Sequence, residues 1–220
     1  QGITGKDEGY MAAYTAEKTF VPDTSWYDTA VAAGTTAVTL QDEADFLGFM
    51  QLMSRTTPVT FSGWTITLGA DIVFNEGDVV ARAEQKDDQL FNLRDYQAQK
   101  KSFGAFSSGF QGTFDGAGHV ISGIYLYDDS TDASVAIFPM TAKSAVLQNF
   151  TLTNSYIYGY RYTGGLIGRA ANGLSVTNVN VHASVNVAKW EAGGLVGEAR
   201  GRITMKDCTM DVDVKSVYTS

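Results

Sequence analysis

One cysteine, Cys208, stands in 220 residues, so no intrachain disulfide framework can hold this chain together. Stability must come from packing and backbone hydrogen bonds. Histidine is almost as scarce. His119 and His182 are the only two, and with Cys208 they fall at unrelated positions, which does not make a zinc site. The metalloprotease pattern H-E-x-x-H is absent. Long apolar runs are missing too. The longest, Val135 to Met140, is six residues and contains Pro139, far short of the roughly 18 that a membrane-spanning helix needs. Basic charge is in deficit: 16 Lys and Arg face 24 Asp and Glu, for a formal charge of -8. A phosphate-binding surface needs a basic face, so no nucleic-acid partner is expected. The opening residues, QGITGKDEGY, show neither a basic n-region nor an apolar core, so no signal peptide is visible there.

What is present is glycine, 23 residues of it, and an aromatic content of 12%. That is enough aromatic surface to build a core, unlike a disordered chain. The glycines recur. Thr163-Gly-Gly-Leu-Ile-Gly168 returns 29 residues later as Ala192-Gly-Gly-Leu-Val-Gly197. The same offset carries Leu174 onto Ile203, Val176 onto Met205, Asn178 onto Asp207, Val179 onto Cys208 and Val185 onto Val214. Moving 29 residues back places Val176 on Leu147, Val179 on Phe150, Val181 on Leu152 and Val185 on Tyr156, with Val135 to Pro139 as a degenerate glycine block. A further step of 26 aligns Ile121-Ser-Gly-Ile-Tyr-Leu126 with Leu147 to Leu152. Thr65 to Leu68 and Asp71 to Phe74 read as earlier strands of the same kind.

Each unit holds short alternating runs such as Leu174-Ser-Val-Thr177, which signal strands with one buried face. Gly, Asn and Asp between them supply turns. A single unit cannot bury its apolar face; stacked units can, each strand pairing with its equivalent about 4.8 Å away. The expected fold is all-β, a solenoid of about five or six coils beginning near Thr60. Before it, Phe46, Leu47, Met50 and Met53 sit at helical spacing and predict one helix from about Gln41 to Ser54, placed to cap the solenoid end. The expected divisions are a loop-rich lead-in over 1–38 with room for one or two strands, capping helix and connection over 39–59, and the repeat array over 60–220. The stretch 76–104 reads as a polar excursion from one coil. The array stops soon after Val214 with no visible cap, so it is expected to continue in a longer parent protein.

Gly165-Leu-Ile-Gly168 and Gly194-Leu-Val-Gly197 resemble the GLUG motif of bacterial surface proteins. Phe110-Gln-Gly-Thr-Phe-Asp-Gly-Ala-Gly-His-Val-Ile-Ser-Gly-Ile124 is similar to the block that precedes such motifs in that family. The helix and the following Leu68-Gly-Ala-Asp-Ile72 extend the likeness, which covers about residues 38–214. The Val135 to Pro139 copy departs from it by losing its glycines. The resemblance implies a right-handed parallel β-helix in a secreted or cell-surface bacterial protein, of the kind found beside adhesin regions or outside the catalytic domain of immunoglobulin-A proteases. It carries no catalytic residue, metal or cofactor onto this chain.

The candidate chemistry is correspondingly thin. Asp115 and His119 lie four apart, but Asp-Gly-x-Gly is explained by an Asx turn, with His119 bonding a neighbouring loop. Asp211 and Asp213 share one side of a strand as a solvated face, and no third carboxylate joins them in register. Asp128, Asp129 and Asp132 match no defined calcium loop. Cys208 aligns with core positions and reads as an inert thiol. The one candidate binding surface is Tyr156-Ile-Tyr-Gly-Tyr-Arg-Tyr162. Tyr156 is expected in the core, while Tyr158, Tyr160, Arg161 and Tyr162 surround a glycine bend, and Trp190 falls one repeat above Arg161. Tyr, Trp and Arg are the residue types enriched where proteins bind partners; the competing reading is an aromatic ladder that stiffens the coils. The expected function is a non-catalytic adhesion or binding module for a host protein or glycan. Its alternatives are a structural spacer in a larger secreted protein and a carbohydrate-active β-helix enzyme.

Overall fold

The computed structural model describes residues 19–97, 108–131 and 133–216. It begins with helix α1 (Ser25–Ala33), strand β1 (Ala37–Leu40) and helix α2 (Glu43–Ser54). Strands β2 (Thr65–Leu68) and β3 (Ile72–Val73) follow, then helix α3 (Val79–Glu84) and a 3-10 turn, Leu93–Tyr96. Next come β4 (Thr113–Asp115), β5 (Val120–Ser122), β6 (Tyr125–Asp128) and β7 (Phe138–Thr141). The repeats then give β8 (Val146–Gly159), β9 (Thr163–Gly164), β10 (Ile167–Ala171) and β11 (Leu174–Val187). They end with β12 (Ala192–Gly193), β13 (Val196–Arg200), β14 (Ile203–Lys206) and β15 (Thr209–Ser216). The protein is β-rich, and the strands pair in parallel.

The chain visits three sheets in turn. One has ten strands along the path β1-β2-β4-β8-β11-β14, with β3, β5, β6 and β15 beside it; the others are β7-β10-β13 and β9-β12. Passing from β8 through β9 and β10 to β11 therefore returns the chain to the first sheet, one strand further on. The 29-residue offset is that step: Val176 pairs with Met205, Val181 with Met210 and Ile167 with Val196. Apolar side chains stack in columns through the interior, such as Ile66–Phe114–Leu147–Val176 and Ile72–Ile121–Leu152–Val181, all fully buried.

Local chemistry sets the bends. Asn149, Asn178 and Asp207 all have positive φ, at 59°, 52° and 53°. Asn and Asp are the non-glycine residues that accept this conformation most readily. Their side chains also join neighbouring repeats: Asn178 Nδ2 donates to Asn149 Oδ1 at 3.1 Å, and Asn149 Nδ2 to Asp115 Oδ1 at 3.1 Å. The glycine blocks answer to close backbone approach. A Cβ at Gly165 would lie 2.1 Å from the Gly194 carbonyl oxygen, and one at Gly164 would lie 1.9 Å from that of Ile167.

Four expectations need correction. The pairing of Val185 with Tyr156 fails. An extra residue at Asn154 (φ 47°) shifts the register, so Val185 pairs with Ile157 and Ser184 with Tyr156. Ile157 is buried and Tyr156 turns outward, half-buried. The 26-residue step fails as well, because Phe114 lies beside Leu147 and Ile121 beside Leu152. The first sheet starts at β1, ahead of the helix rather than near Thr60. Finally, the lead-in contains helix α1, closed by Gly34 at φ 67°.

α2 covers the core at the β1 end. Asp42 caps it by accepting from Asp45 N at 3.0 Å. Phe46, Phe49 and Met50 are fully buried, with Phe49 stacked on Phe114 at 5.6 Å. The incoming chain crosses over this helix, where Asp23 N donates to the Ala44 carbonyl at 2.9 Å. α1 is pinned beyond it by Tyr27 stacked on Trp64 at 5.3 Å.

Candidate functional site

The tyrosine-rich segment lies where β8 leaves the large sheet, and the structure divides it into three environments. Tyr158 belongs to the first. It points outward from β8 and stacks on Tyr127 of β6, 4.6 Å away with the rings 12° apart. Tyr156 lies against Tyr125 at 5.9 Å with the rings tilted by 31°, and Tyr125 stacks beside Tyr127 at 6.3 Å. Strand pairing puts Tyr125 opposite Tyr156 and Tyr127 opposite Tyr158, so the four rings form a ladder whose faces cover one another. Burial, then the neighbouring Tyr156 and Tyr127, pushes the Tyr125 phenol up to about 12. Tyr127 and Tyr156 are raised for the same first reason.

Tyr162 is the second environment. Its ring lies between two guanidiniums, Arg161 at 4.1 Å and Arg169 at 4.5 Å, and the Arg161 guanidinium also donates to its hydroxyl. Arg169 pairs with Glu198 at 2.6 Å, and Arg200 takes the second oxygen of the same carboxylate at 2.6 Å. Burial alone would raise the Glu198 carboxyl; the hydrogen bonds from both arginines outweigh it and hold it low.

The third environment is an exposed corner made by two stacked loops. Lys189 N and Trp190 N both donate to the Tyr160 carbonyl, at 3.1 and 3.2 Å, and Ala188 N donates to Gly159 O at 2.8 Å. This places Trp190 over the Tyr160 loop, as the offset predicts. Trp190 is 51% exposed. The Lys189 ammonium lies 5.6 Å from the Trp190 ring and 6.0 Å from that of Tyr160. Arg161 and Glu191 face each other at 3.8 Å beside it. Tyr160, Arg161 and Trp190 thus share one corner, while Tyr158 and Tyr162 are used elsewhere. Lys189 is the residue the sequence reading passed over; its place beside Trp190 was the available signal.

The remaining polar residues are engaged structurally. Asp115 caps its own turn, accepting from Ala117 N at 2.8 Å, and binds Gln148 at 2.7 Å. His119 pairs not with Asp115 but with Asp71, Nδ1 to Oδ1 at 3.0 Å. Asp128 is buried against Arg94, with Nε donating to Oδ2 at 2.6 Å. Burial would raise that carboxyl, but hydrogen bonds from Ser130 and Arg94 lower it. Asp132 lies outside the described residues. His182 stands 3.5 Å from Asp211, and Asp213 pairs with Lys215 at 3.0 Å. Cys208 is half-buried against the core. Among the described residues no cluster of three His, Cys, Asp or Glu is arranged to hold a metal, and no helix is long and apolar enough to cross a membrane.

No protein-family model, no curated protein and no solved structure matches this chain.

Proposed function

We propose that the chain is a stretch of right-handed parallel β-helix built from GLUG-type repeats, acting as a non-catalytic binding module of a secreted or cell-surface bacterial protein. The parallel register at a 29-residue step and the cycling through three sheets support the architecture. The single observation that carries the function is the corner, where an exposed Trp190 and a half-buried Tyr160 flank Lys189 on a backbone fixed by hydrogen bonds between the two repeats. Burying an aromatic side chain from water is among the largest contributions one residue makes to association. A host protein or a glycan is the expected ligand.

The spacer reading draws on the tyrosine ladder and the Asn149–Asn178 chain, which stiffen the stack without facing a ligand. A binding screen against glycans and host matrix proteins separates the two, run beside a Tyr160→Ala/Trp190→Ala variant. Binding that the variant loses supports the module. A folded chain that captures nothing supports the spacer.

A further inference from the structure

The corner has a charge opposite to that of the chain. Three arginines, Arg161, Arg169 and Arg200, pair with two carboxylates, Glu191 and Glu198, and Lys189 stands next to Glu191 in sequence as a fourth cation, in a protein of formal charge -8. Both carboxylates are already held by arginine. Lys189 differs: among the described residues it meets two aromatic rings and no carboxylate. A lysine ammonium between the exposed Trp190 ring and the half-buried Tyr160 ring is a place for an anion attached to something that stacks.

Size limits what that ligand is. A stable protein interface covers about 800 Å² on each partner. Here the apolar surface amounts to Trp190 with part of Tyr160. The other large apolar side chains exposed among the described residues, such as Val31, Tyr127 and Met205, lie on other elements. One indole face matches one pyranose ring, whose axial C–H groups pack on it while its hydroxyls stay in water. The loops are pinned by backbone bonds to Gly159 and Tyr160, so little ordering is needed on binding.

We propose that this corner binds an acidic sugar of a glycan chain, the ring on Trp190 and its carboxylate or sulfate against Lys189. The inference rests on the binding-module reading and adds the ligand's chemical class.

The test titrates the whole chain with an oligogalacturonate and with the same oligomer after carboxyl reduction, at low and high salt. Sialylated and sulfated oligosaccharides form further arms, and matrix proteins a separate one. The acidic oligomer should bind, and its reduced form about three- to fivefold more weakly, the scale of one exposed ion pair. Salt should weaken binding, because exposed charges are screened. Trp190→Ala should cost about tenfold or more and Lys189→Ala about three- to fivefold, with Lys206→Ala, a distant exposed lysine, unchanged. Equal affinity for the acidic and reduced oligomers at every salt would overturn the charge inference and leave a glycan module. Acid-selective binding that ignores both Trp190→Ala and Lys189→Ala would place the site elsewhere and overturn the inference. Capture of matrix proteins through Trp190, with no sugar bound, would keep the module reading and remove this one. Capture of nothing by a folded chain would remove both.

Discussion

Replacing Val179 with Asp puts a carboxyl in the centre of the stack. Val179 is fully buried and pairs with Phe150 of the preceding repeat, whose ring meets Phe114 at 5.4 Å. Losing the valine from this column removes about 1.5–3 kcal/mol of burial. Water cannot reach the new group, so at pH 7 it is held neutral. Moving an aspartate from about 3.9 to above 7 costs about 4 kcal/mol, at about 1.36 kcal/mol per pK unit. The sum, about 6 kcal/mol, is comparable to the whole stability of a typical domain, about 5–15 kcal/mol. The sign with pH follows. The carboxyl's folded pKa is raised, so the variant binds more protons folded than unfolded and loses stability as pH rises above about 4. Urea unfolding followed by circular dichroism at pH 7 and pH 4 reads this directly. Relative to the parent, Val179→Asp should be nearly unfolded at pH 7 and recover about 3–4 kcal/mol at pH 4. Val179→Asn should lose packing without that recovery. A Val179→Asp midpoint equal to the parent's at pH 7 would mean that the column faces water, and the interior assignment would be wrong.

Gly165→Ala should lose about 1–3 kcal/mol in the same urea assay, because its Cβ would meet the Gly194 backbone carbonyl at 2.1 Å, while Gly165 N is itself bonded to Gly193 O. Asp128→Ala should lose about 3–5 kcal/mol, since it strands the buried Arg94 guanidinium without its counter-charge. Raising the pH above 10 should destabilise the protein. Unfolded tyrosines give up their protons near their ordinary value, while Tyr125 keeps its own until about 12. A phenolate absorbance titration should show a late phase, to which Tyr127 and Tyr156 also contribute, and Tyr125→Phe should remove its last part.

The register was legible wherever consecutive repeats keep the same loop lengths. Leu174, Val176, Val179 and Val181 therefore land where alternation and a constant offset put them. It was lost where one residue is inserted. Asn154 adds a residue to β8 that β11 lacks, and the side chains from Ser155 to Gly159 change partner before the 29-residue register returns at Thr163 and Ala192, which is why Tyr156 and Ile157 exchange roles. The 26-residue step was misleading for a different reason. Ile121 to Leu126 and Leu147 to Leu152 both read apolar-polar-polar-apolar, but stacking follows the sheet, and Phe114 already occupies the place beside Leu147. α1 escaped because only Ala30 of its nine residues is buried, so it carries no apolar stripe. At the site, the offset placed Trp190 over the Tyr160 loop correctly. It could not show that Tyr158 would meet Tyr127, because β6 belongs to a repeat with different spacing.

The central claim is that repeats pair in parallel with their equivalents instead of folding back on themselves. Cross-strand nuclear Overhauser contacts in isotope-labelled protein test it most directly. The account predicts backbone contacts from Val181 to both Leu152 and Met210, and from Val185 to Ile157 rather than Tyr156. Contacts linking consecutive strands as antiparallel hairpins, with none at the 29-residue step, would contradict it.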